Sequence, residues 1–172
     1  MSHFSDVARV PGDPILGLMD AYRSDSNPNK IDLGVGVYKD PAGTTPILQS
    51  VKIAERHLLD SETTKSYVGG HGDPLFTQHL ARLVLGADSA LLDEGLAGAT
   101  QTPGGTGALR LAGDFIRYCL PGRGIWLSDP TWPIHETLFA AAGLKVNHYP
   151  YVDGDNRLAF DALLAALQQI PH

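Results

Sequence analysis

Hydrophobic residues in the first half of the chain recur at the three- and four-residue spacing of amphipathic helices. The clearest run is Ile47, Leu48, Val51, Ala54 and Leu58. Each predicted helix begins where a capping side chain is followed by proline in the first turn, at Asp13-Pro14, Thr45-Pro46 and Asp73-Pro74. Gly86 is expected to end the third helix, because glycine readily adopts the left-handed conformation that often follows a last helical turn.

From Ala97 onward, short apolar segments alternate with helical ones. The predicted order is strand 99–102, helix 105–120, strand 124–128, helix 132–142, strand 144–149 and a last helix capped by Asp161. Strands that alternate with helices over such lengths are typical of a parallel sheet covered by helices. The pattern therefore predicts the α/β class. The last helix ends near Pro171, where a further strand would be expected, so the predicted sheet is small and incomplete.

Composition narrows the possible functions. Hydrophobic residues make up 43% of the chain, which is enough for a packed core. The formal net charge is -6 without clusters of Lys or Arg, which argues against nucleic acid as a partner. No apolar run approaches the roughly 18 residues of a membrane-spanning helix, and no signal peptide is indicated. The single cysteine, Cys119, is expected in the core, and the absence of an internal disulfide fits the cytoplasm.

The segment Gln101–Ala108 contains a run of glycines between a predicted strand and a predicted helix. The free N–H groups at such a helix start bind anions, typically phosphate, and Thr106 adds a hydroxyl donor. A tight strand-to-helix turn without a ligand would explain the same residues. A nucleotide loop is disfavoured, because no lysine follows the glycines and the spacing Gly105-x-Gly107-x-x-Arg110 lacks the third glycine of a dinucleotide site.

A second segment, Ser128–His135, follows the predicted strand 124–128 and therefore lies at the sheet edge that carries the glycines. Trp132 could stack on a flat ring there, although packing in the core is the simpler interpretation of a tryptophan. His135 lies one helical turn later and could face the same ligand, while a purely structural histidine is again simpler. No pair of histidines with nearby carboxylates has the spacing of metal ligands, so no metal site is predicted.

Several segments together resemble the class I aminotransferases, specifically the aspartate/aromatic branch of these pyridoxal-phosphate (PLP) enzymes. They occur in the family's order and spacing, and they are Asp13–Leu18, Leu33–Asp40, Lys65–Tyr67, Gln101–Arg110 and Trp132–His135. The resemblance implies an N-terminal fragment of such an enzyme, most similar to aspartate aminotransferase. It also implies that residues 1–45 form an N-terminal arm and mobile segment. Residues 46–172 would be the first part of the large PLP-binding domain, a three-layer α/β/α fold with a mostly parallel sheet.

The resemblance implies roles for residues that would contact or support the cofactor. The phosphate of PLP would be bound by Gly104, Gly105 and Thr106. Trp132 would stack on the pyridine ring and help to orient the substrate. His135 would support an aspartate that pairs with the pyridine nitrogen.

Further residues are implied to serve the partner subunit or the substrate. Tyr67 would reach the PLP phosphate of the other subunit in a homodimer, and Gly36 would lie against the substrate. Positions that tend to differ between aspartate-preferring and aromatic-preferring members favour aspartate here, at Val37, Lys39, Thr45 and Thr106. Ser66 departs from the usual asparagine and weakens this preference.

The resemblance places the cofactor-binding lysine, an acidic partner of the pyridine nitrogen and the arginines that bind substrate carboxylates further along than residue 172. The lysines present are Lys30, Lys39, Lys52, Lys65 and Lys145, and none has the family's cofactor-lysine context. The implied function is PLP-dependent amino-group transfer between aspartate, glutamate or aromatic amino acids and 2-oxo acids in the full-length protein, with this chain inactive alone. The alternative is a non-catalytic α/β phosphate-binding or interaction protein.

Overall fold

The computed structural model describes residues 4–8, 14–32, 34 and 36–171. The chain divides into two compact units, Met1–Lys65 and Ser66–His172. The boundary at residue 45 that the resemblance implies stays a prediction. No helix within the described ranges is long and apolar enough to cross a membrane.

The first unit contains helices α1 (Pro14–Ser24) and α2 (Gln49–Ser61), in the two regions where the hydrophobic spacing predicts helices. The predicted cap of α2 is wrong, because Leu48 and not Thr45 stands at its N-cap. The Thr45 hydroxyl instead donates to the Tyr38 carbonyl (3.0 Å), which holds it away from the helix start. Asp13, the predicted cap of α1, lies outside the described residues.

The C-terminal end of α1 is held by Lys30. Its ammonium group donates to the backbone carbonyls of Tyr22 (2.6 Å) and Asp25 (2.7 Å), and it lies 4.4 Å from the centre of the Tyr22 ring. The last carbonyls of a helix lack donors within the helix, and a cation there also interacts favourably with the helix dipole. Lys30 therefore fixes the direction in which the chain leaves α1.

The second unit begins with helix α3 (Pro74–Leu85) and the single turn α4 (Ala90–Asp93). Asp73 caps α3 by accepting the N–H of Phe76 (2.8 Å), and Gly86 follows the helix at a φ of +96°. Both predicted boundaries of α3 are thus confirmed. The sequence pattern does not predict α4, because one turn is too short for a periodic signal.

The sheet lies in the last third of the chain. The elements in order are helix α5 (Gly104–Cys119), strand β1 (Ile125–Asp129), helix α6 (Pro133–Ala141), strand β2 (Val146–Pro150) and helix α7 (Phe160–Gln168). Strands β1 and β2 pair in parallel, from Ile125 opposite Val146 to Asp129 opposite Pro150. Helix α6 packs on both strands and α7 on β2. The α/β class with a parallel sheet is confirmed, as a partial fold.

Two predicted details of the secondary structure in this unit are wrong. Residues 99–102 form no strand in the described chain, because the Gln101 N–H donates to the His71 carbonyl (3.0 Å) of a loop and not to a neighbouring strand. Asp161 does not cap α7, since Ala159 occupies the N-cap position. Asp161 lies in the first turn instead, where a carboxylate still interacts favourably with the helix dipole.

The core lies where α6 covers the strands. Leu127 of β1, Phe139 of α6 and Leu144 beside β2 are buried and form one cluster. Full burial of side chains of this size contributes about 1.5–3 kcal/mol each. Partly buried side chains pack against the cluster, and they are Leu109, Ile116, Ile125 and Val146. Cys119, predicted to be a core residue, is exposed, because it stands at the end of α5 beyond this cluster.

Helices α5 and α6 approach each other closely at Gly113, which is buried. A β-carbon at this position would lie 2.9 Å from the β-carbon of Ala142 and 3.3 Å from Cδ1 of Phe139. Glycine is therefore required here by the contact between the helices and not by an unusual backbone conformation.

We predict that Gly113→Ala destabilises the protein, although alanine is favoured over glycine inside a helix by about 1 kcal/mol. The added methyl group must push α5 away from α6, and overpacking of a core costs about 1–3 kcal/mol. Gly17→Ala in α1 is the control, because nothing lies within 4 Å of a β-carbon there, and it should gain stability. Chemical denaturation measures both changes. Equal stabilisation of the two variants would contradict the close packing at Gly113.

Candidate cofactor-binding site

Helix α5 begins without a side-chain cap. Its N-cap is Pro103, and Gly104 adopts a left-handed φ of +71° that turns the chain into the helix. The Gly104 N–H donates to the Thr102 carbonyl (2.8 Å), and the Thr102 hydroxyl donates to the Gly104 carbonyl (3.1 Å). These two bonds fix the turn. The N–H groups of Gly105 and Thr106 come before those that bond within the helix, so they are directed out of its N-terminal end.

The start of α5, by which we mean Gly104, Gly105 and Thr106, is suited to an anion. All three residues are exposed, and the first turn contains no acidic residue. The aligned peptide dipoles place roughly half a positive charge at a helix N-terminus. Phosphate is the anion that such helix starts most often bind.

Gly105 and Gly107 are surrounded differently, so a different cause accounts for the glycine at each position. Nothing lies within 4 Å of a β-carbon built on Gly105, so the space beside its backbone is open. A β-carbon on Gly107 would instead lie 2.9 Å from Cγ of Pro103. Gly107 is therefore required by the packing of the turn, while the open space beside Gly105 suits a ligand. The sequence alone does not separate these two causes.

Trp132 and His135 form a pair after the end of β1. Trp132 stands at the N-cap of α6, with Pro133 in the first turn. Its side chain is 41% exposed, which does not support the core-packing interpretation. The two rings meet edge to face, with centroids 5.4 Å apart and planes at 85°. Thr131 Oγ1 lies 2.8 Å from His135 Nδ1, and this hydrogen bond fixes the orientation of the imidazole.

The start of α5 and the Trp132–His135 pair lie toward the same edge of the sheet. Residues 120–124 form a short connection from the end of α5 to the start of β1. Helix α5 also packs along the core through Leu109 and Ile116, so its N-terminal end lies toward the carboxyl end of β1. Ligands of open α/β sheets bind at this edge.

Tyr67 and Gly36 are not brought into this arrangement by contacts of the described residues. The Tyr67 side chain is fully exposed, with a relative accessibility of 105%, so it packs against nothing in its own unit. Gly36 lies in the first unit and is exposed, with nothing within 4 Å of a β-carbon built there. Both implied roles stay predictions.

The segment that carries Gly36 is held by Asp32. One carboxylate oxygen of Asp32 accepts the N–H of Gly34 (3.0 Å), and the other accepts from the Lys39 ammonium (2.6 Å). The hydrogen bond from Lys39, followed by the one from Gly34, holds the pKa of the Asp32 carboxyl below its usual range. Lys39 and Thr45 therefore shape this segment, and Val37 is exposed on it.

Sequence reasoning missed Asp32 and Gln101, each of which joins residues that are separated along the chain. A carboxylate followed by a glycine and then a lysine is too common a pattern to single out Asp32. The Gly69, Gly70 and Gly72 run gives a loop, but nothing in the sequence indicates that Gln101 contacts it. No cluster of His, Cys, Asp and Glu in the described part of the chain could hold a metal ion.

Comparisons with known proteins identify a family and relatives of this chain. The family model for aminotransferase class I and II matches residues 28–172. An aromatic-amino-acid aminotransferase of Pseudomonas aeruginosa is 75% identical over 171 residues, which is 99% of this chain and 43% of the relative. An aspartate aminotransferase of Salmonella typhi is 50% identical over 167 residues, which is 96% of this chain and 42% of the relative.

Among solved structures, the chain is similar to an aromatic-amino-acid aminotransferase from Burkholderia pseudomallei covalently bound to pyridoxal phosphate. The identity is 40% and the TM-score 0.88, over 99% of this chain and 43% of that one. Fold and site thus define an α/β protein with an uncapped, glycine-rich helix start at the carboxyl edge of a parallel sheet. The chain belongs to the class I and II aminotransferases. It spans about 43% of the length of the curated relative from Pseudomonas aeruginosa.

We predict that acid releases the Asp32 contacts. Because the pKa of Asp32 is lowered in the folded chain, its stabilising contribution is complete above the ordinary carboxyl pKa of about 3.9. It is lost as the pH falls through the lower folded-state pKa. A carbon-detected NMR titration of the Asp32 carboxyl measures this pKa directly.

Lys39→Met should raise the pKa of Asp32 toward its usual value, because the variant removes the largest cause of the shift. Lys52→Met is the matched control, since Lys52 pairs with Glu55 and not with Asp32. A pKa of Asp32 that is unchanged in Lys39→Met would show that the ion pair does not form in solution.

Proposed function

We propose that this chain supplies the phosphate-binding and ring-stacking part of a PLP-dependent aminotransferase. The observation that carries the proposal is the open start of α5 at the same sheet edge as the exposed Trp132–His135 pair. Family membership and the pyridoxal phosphate bound to the similar enzyme from Burkholderia pseudomallei support the choice of PLP as the cofactor.

The residues present fit the phosphate end of PLP. Gly105 leaves space beside the backbone, and the N–H groups of Gly105 and Thr106 can donate to a phosphate dianion together with the Thr106 hydroxyl. Gly104 sets the direction of the turn. Phosphate binding at this position would hold the cofactor without using its reactive end.

The residues after β1 fit the ring end. The exposed indole of Trp132 can stack on a flat pyridine ring and limit the orientation of a substrate beside it. The hydrogen bond between Thr131 and His135 Nδ1 leaves Nε2 as the ring nitrogen that can bond an aspartate carboxylate. When bound, PLP supplies the electron withdrawal that loosens bonds at the α-carbon of the amino acid.

We further propose that the whole protein transfers amino groups between aspartate, glutamate or aromatic amino acids and 2-oxo acids. Relatives named aspartate and aromatic-amino-acid aminotransferases both support this substrate range. The preference for aspartate stays a prediction, and the 75% identity to a relative with an aromatic name supports including aromatic substrates.

A homodimer in the cytoplasm is proposed as the working form. The fully exposed Tyr67 side chain supports a role at a neighbouring subunit, because a tyrosine without packing contacts in its own unit is free to reach another chain. Its phenol group would donate to the phosphate bound by the partner's α5 start.

The present 172 residues are proposed to be inactive alone. The ammonium groups of Lys30, Lys39, Lys52 and Lys65 are engaged in local contacts within the first unit. Lys145 precedes β2, so it lies at the amino edge of the strands, opposite to the edge that carries Trp132. No lysine of the second unit is thus directed to the proposed PLP site by the fold.

A non-catalytic interaction protein is the second candidate. The exposed apolar side chains of α5, Leu111 and Phe115, favour it, because apolar surface of this kind commonly contacts a partner. The two candidates make different demands on the start of α5, since only the first requires it to bind PLP.

We predict that PLP added to the ¹⁵N-labelled chain shifts the amide resonances of Gly105 and Thr106. Thr106→Val removes one hydroxyl donor to a charged phosphate and should weaken the affinity about tenfold or more. Thr63→Val is the matched control, because Thr63 is an exposed threonine of the first unit. Equal PLP affinity of Thr106→Val and Thr63→Val would contradict the assignment of the α5 start.

We also predict that the chain with PLP, aspartate and a 2-oxo acid forms no amino-acid product, because no lysine is placed to activate the cofactor. Product formation is measured by chromatography, with a full-length aminotransferase as the positive control. An absorption band of lysine-bound cofactor that aspartate removes would overturn the prediction.

A further inference from the structure

The loop between Tyr67 and α3, residues 67–73, is attached to the segment that precedes α5. The Gln101 N–H donates to the His71 carbonyl (3.0 Å), and the Asp73 N–H donates to Oε1 of the Gln101 side chain (2.9 Å). A longer contact of 3.5 Å joins His71 Nδ1 and Thr100 Oγ1. Gln101 is therefore bonded on both sides of Gly72.

The contact at Gly72 is close. A β-carbon on Gly72 would lie 2.6 Å from Oε1 of Gln101 and closer still to its β-carbon. Gly72 also has a φ of +84°, and its N–H donates to the Gly69 carbonyl (2.8 Å), which closes the turn. The Gln101 side chain thus lies directly against the backbone of the loop, at a separation that only glycine permits.

Both ends of this contact lead to residues of the proposed site. Between Gln101 and the Gly104 turn lie Thr102, which bonds Gly104 twice, and Pro103, whose ring restricts φ. On the other side, the turn that begins at Gly69 follows Tyr67 closely along the chain. A displacement of Gln101 would therefore be transmitted in both directions.

We propose that Gln101 is a positioning residue that holds loop 67–73 and the start of α5 in one arrangement, without contacting the cofactor. The inference rests on the proposed function for the roles of Tyr67 and the α5 start. In a homodimer, Tyr67 of one chain would serve the phosphate held by the other chain. Gln101 would then connect, within one chain, elements that belong to two different cofactor sites.

Amide hydrogen exchange of the full 172-residue chain tests this role. Gln101→Met keeps the length of the side chain and removes its oxygen acceptor. The Asp73 amide should exchange roughly fivefold faster, as expected for the loss of one ordinary hydrogen bond. The inference further requires faster exchange at Gly107 and Ala108, the first amides bonded within α5, which a purely local role would leave unchanged.

Matched variants separate the hydrogen bond from other effects. Gln168→Met, at an exposed position in the last turn of α7, should change neither region. Gln101→Glu retains an acceptor oxygen and should restore slow exchange at Asp73, Gly107 and Ala108.

If Gln101→Met fails to fold, two glycine variants test the positioning role of Gln101 instead. Gly72→Ala must displace Gln101, whereas Gly122→Ala has nearly the same φ, +85°, and nothing within 4 Å of its β-carbon. Only Gly72→Ala should speed exchange at Gly107 and Ala108. Equal effects of the two alanines there would overturn the inference.

PLP titration of the same proteins distinguishes this inference from the proposed function. If PLP leaves the Gly105 and Thr106 amide resonances of the unaltered chain unshifted, the proposed function fails. The exchange data still test the positioning role of Gln101 in that case. If Gln101→Met speeds exchange only at residues 71–73, the inference on Gln101 fails, whether or not PLP binds. Faster exchange on both sides together with weaker PLP binding supports both.

Discussion

The close approach of α5 to α6 is the constraint on which the rest of the second unit depends. Gly113 allows this approach, and Phe139 uses the resulting space to cover Leu127 of β1. With the helices held in this way, the parallel pairing of β1 and β2 acquires a buried face. A larger side chain at Gly113 would separate the helix that starts the candidate site from the strand that ends beside it.

This packing also determines what chemistry the edge of the sheet can support. The start of α5 offers N–H donors and a positive dipole end, whereas the residues after β1 offer an aromatic face and a fixed imidazole. Together these groups would suit the proposed ligand, which carries a phosphate at one end and a flat ring at the other. Neither segment alone would distinguish such a ligand from inorganic phosphate or from a simple aromatic compound.

Periodic signals made the helices other than α4 and the β1–β2 pair predictable, together with the Asp73 cap and the glycine-rich start of α5. Predictions failed where a residue could form a hydrogen bond with either of two partners. Thr45 bonds the Tyr38 carbonyl instead of capping α2, and the segment around Gln101 bonds a loop instead of a strand. Such choices depend on contacts between distant residues, which leave no periodicity in a single sequence.

The different causes that require Gly105 and Gly107 have a consequence for natural variation. Replacement of Gly107 brings a side chain against Pro103, so selection for a folded, abundant protein is sufficient to retain this glycine. A side chain at Gly105 would extend into open space, so it makes no contact that disturbs folding. A lineage that kept the fold but abandoned its ligand would therefore lose Gly105 first and keep Gly107. The residues found at positions 105 and 107 of a relative would therefore show whether selection had maintained ligand binding or only folding.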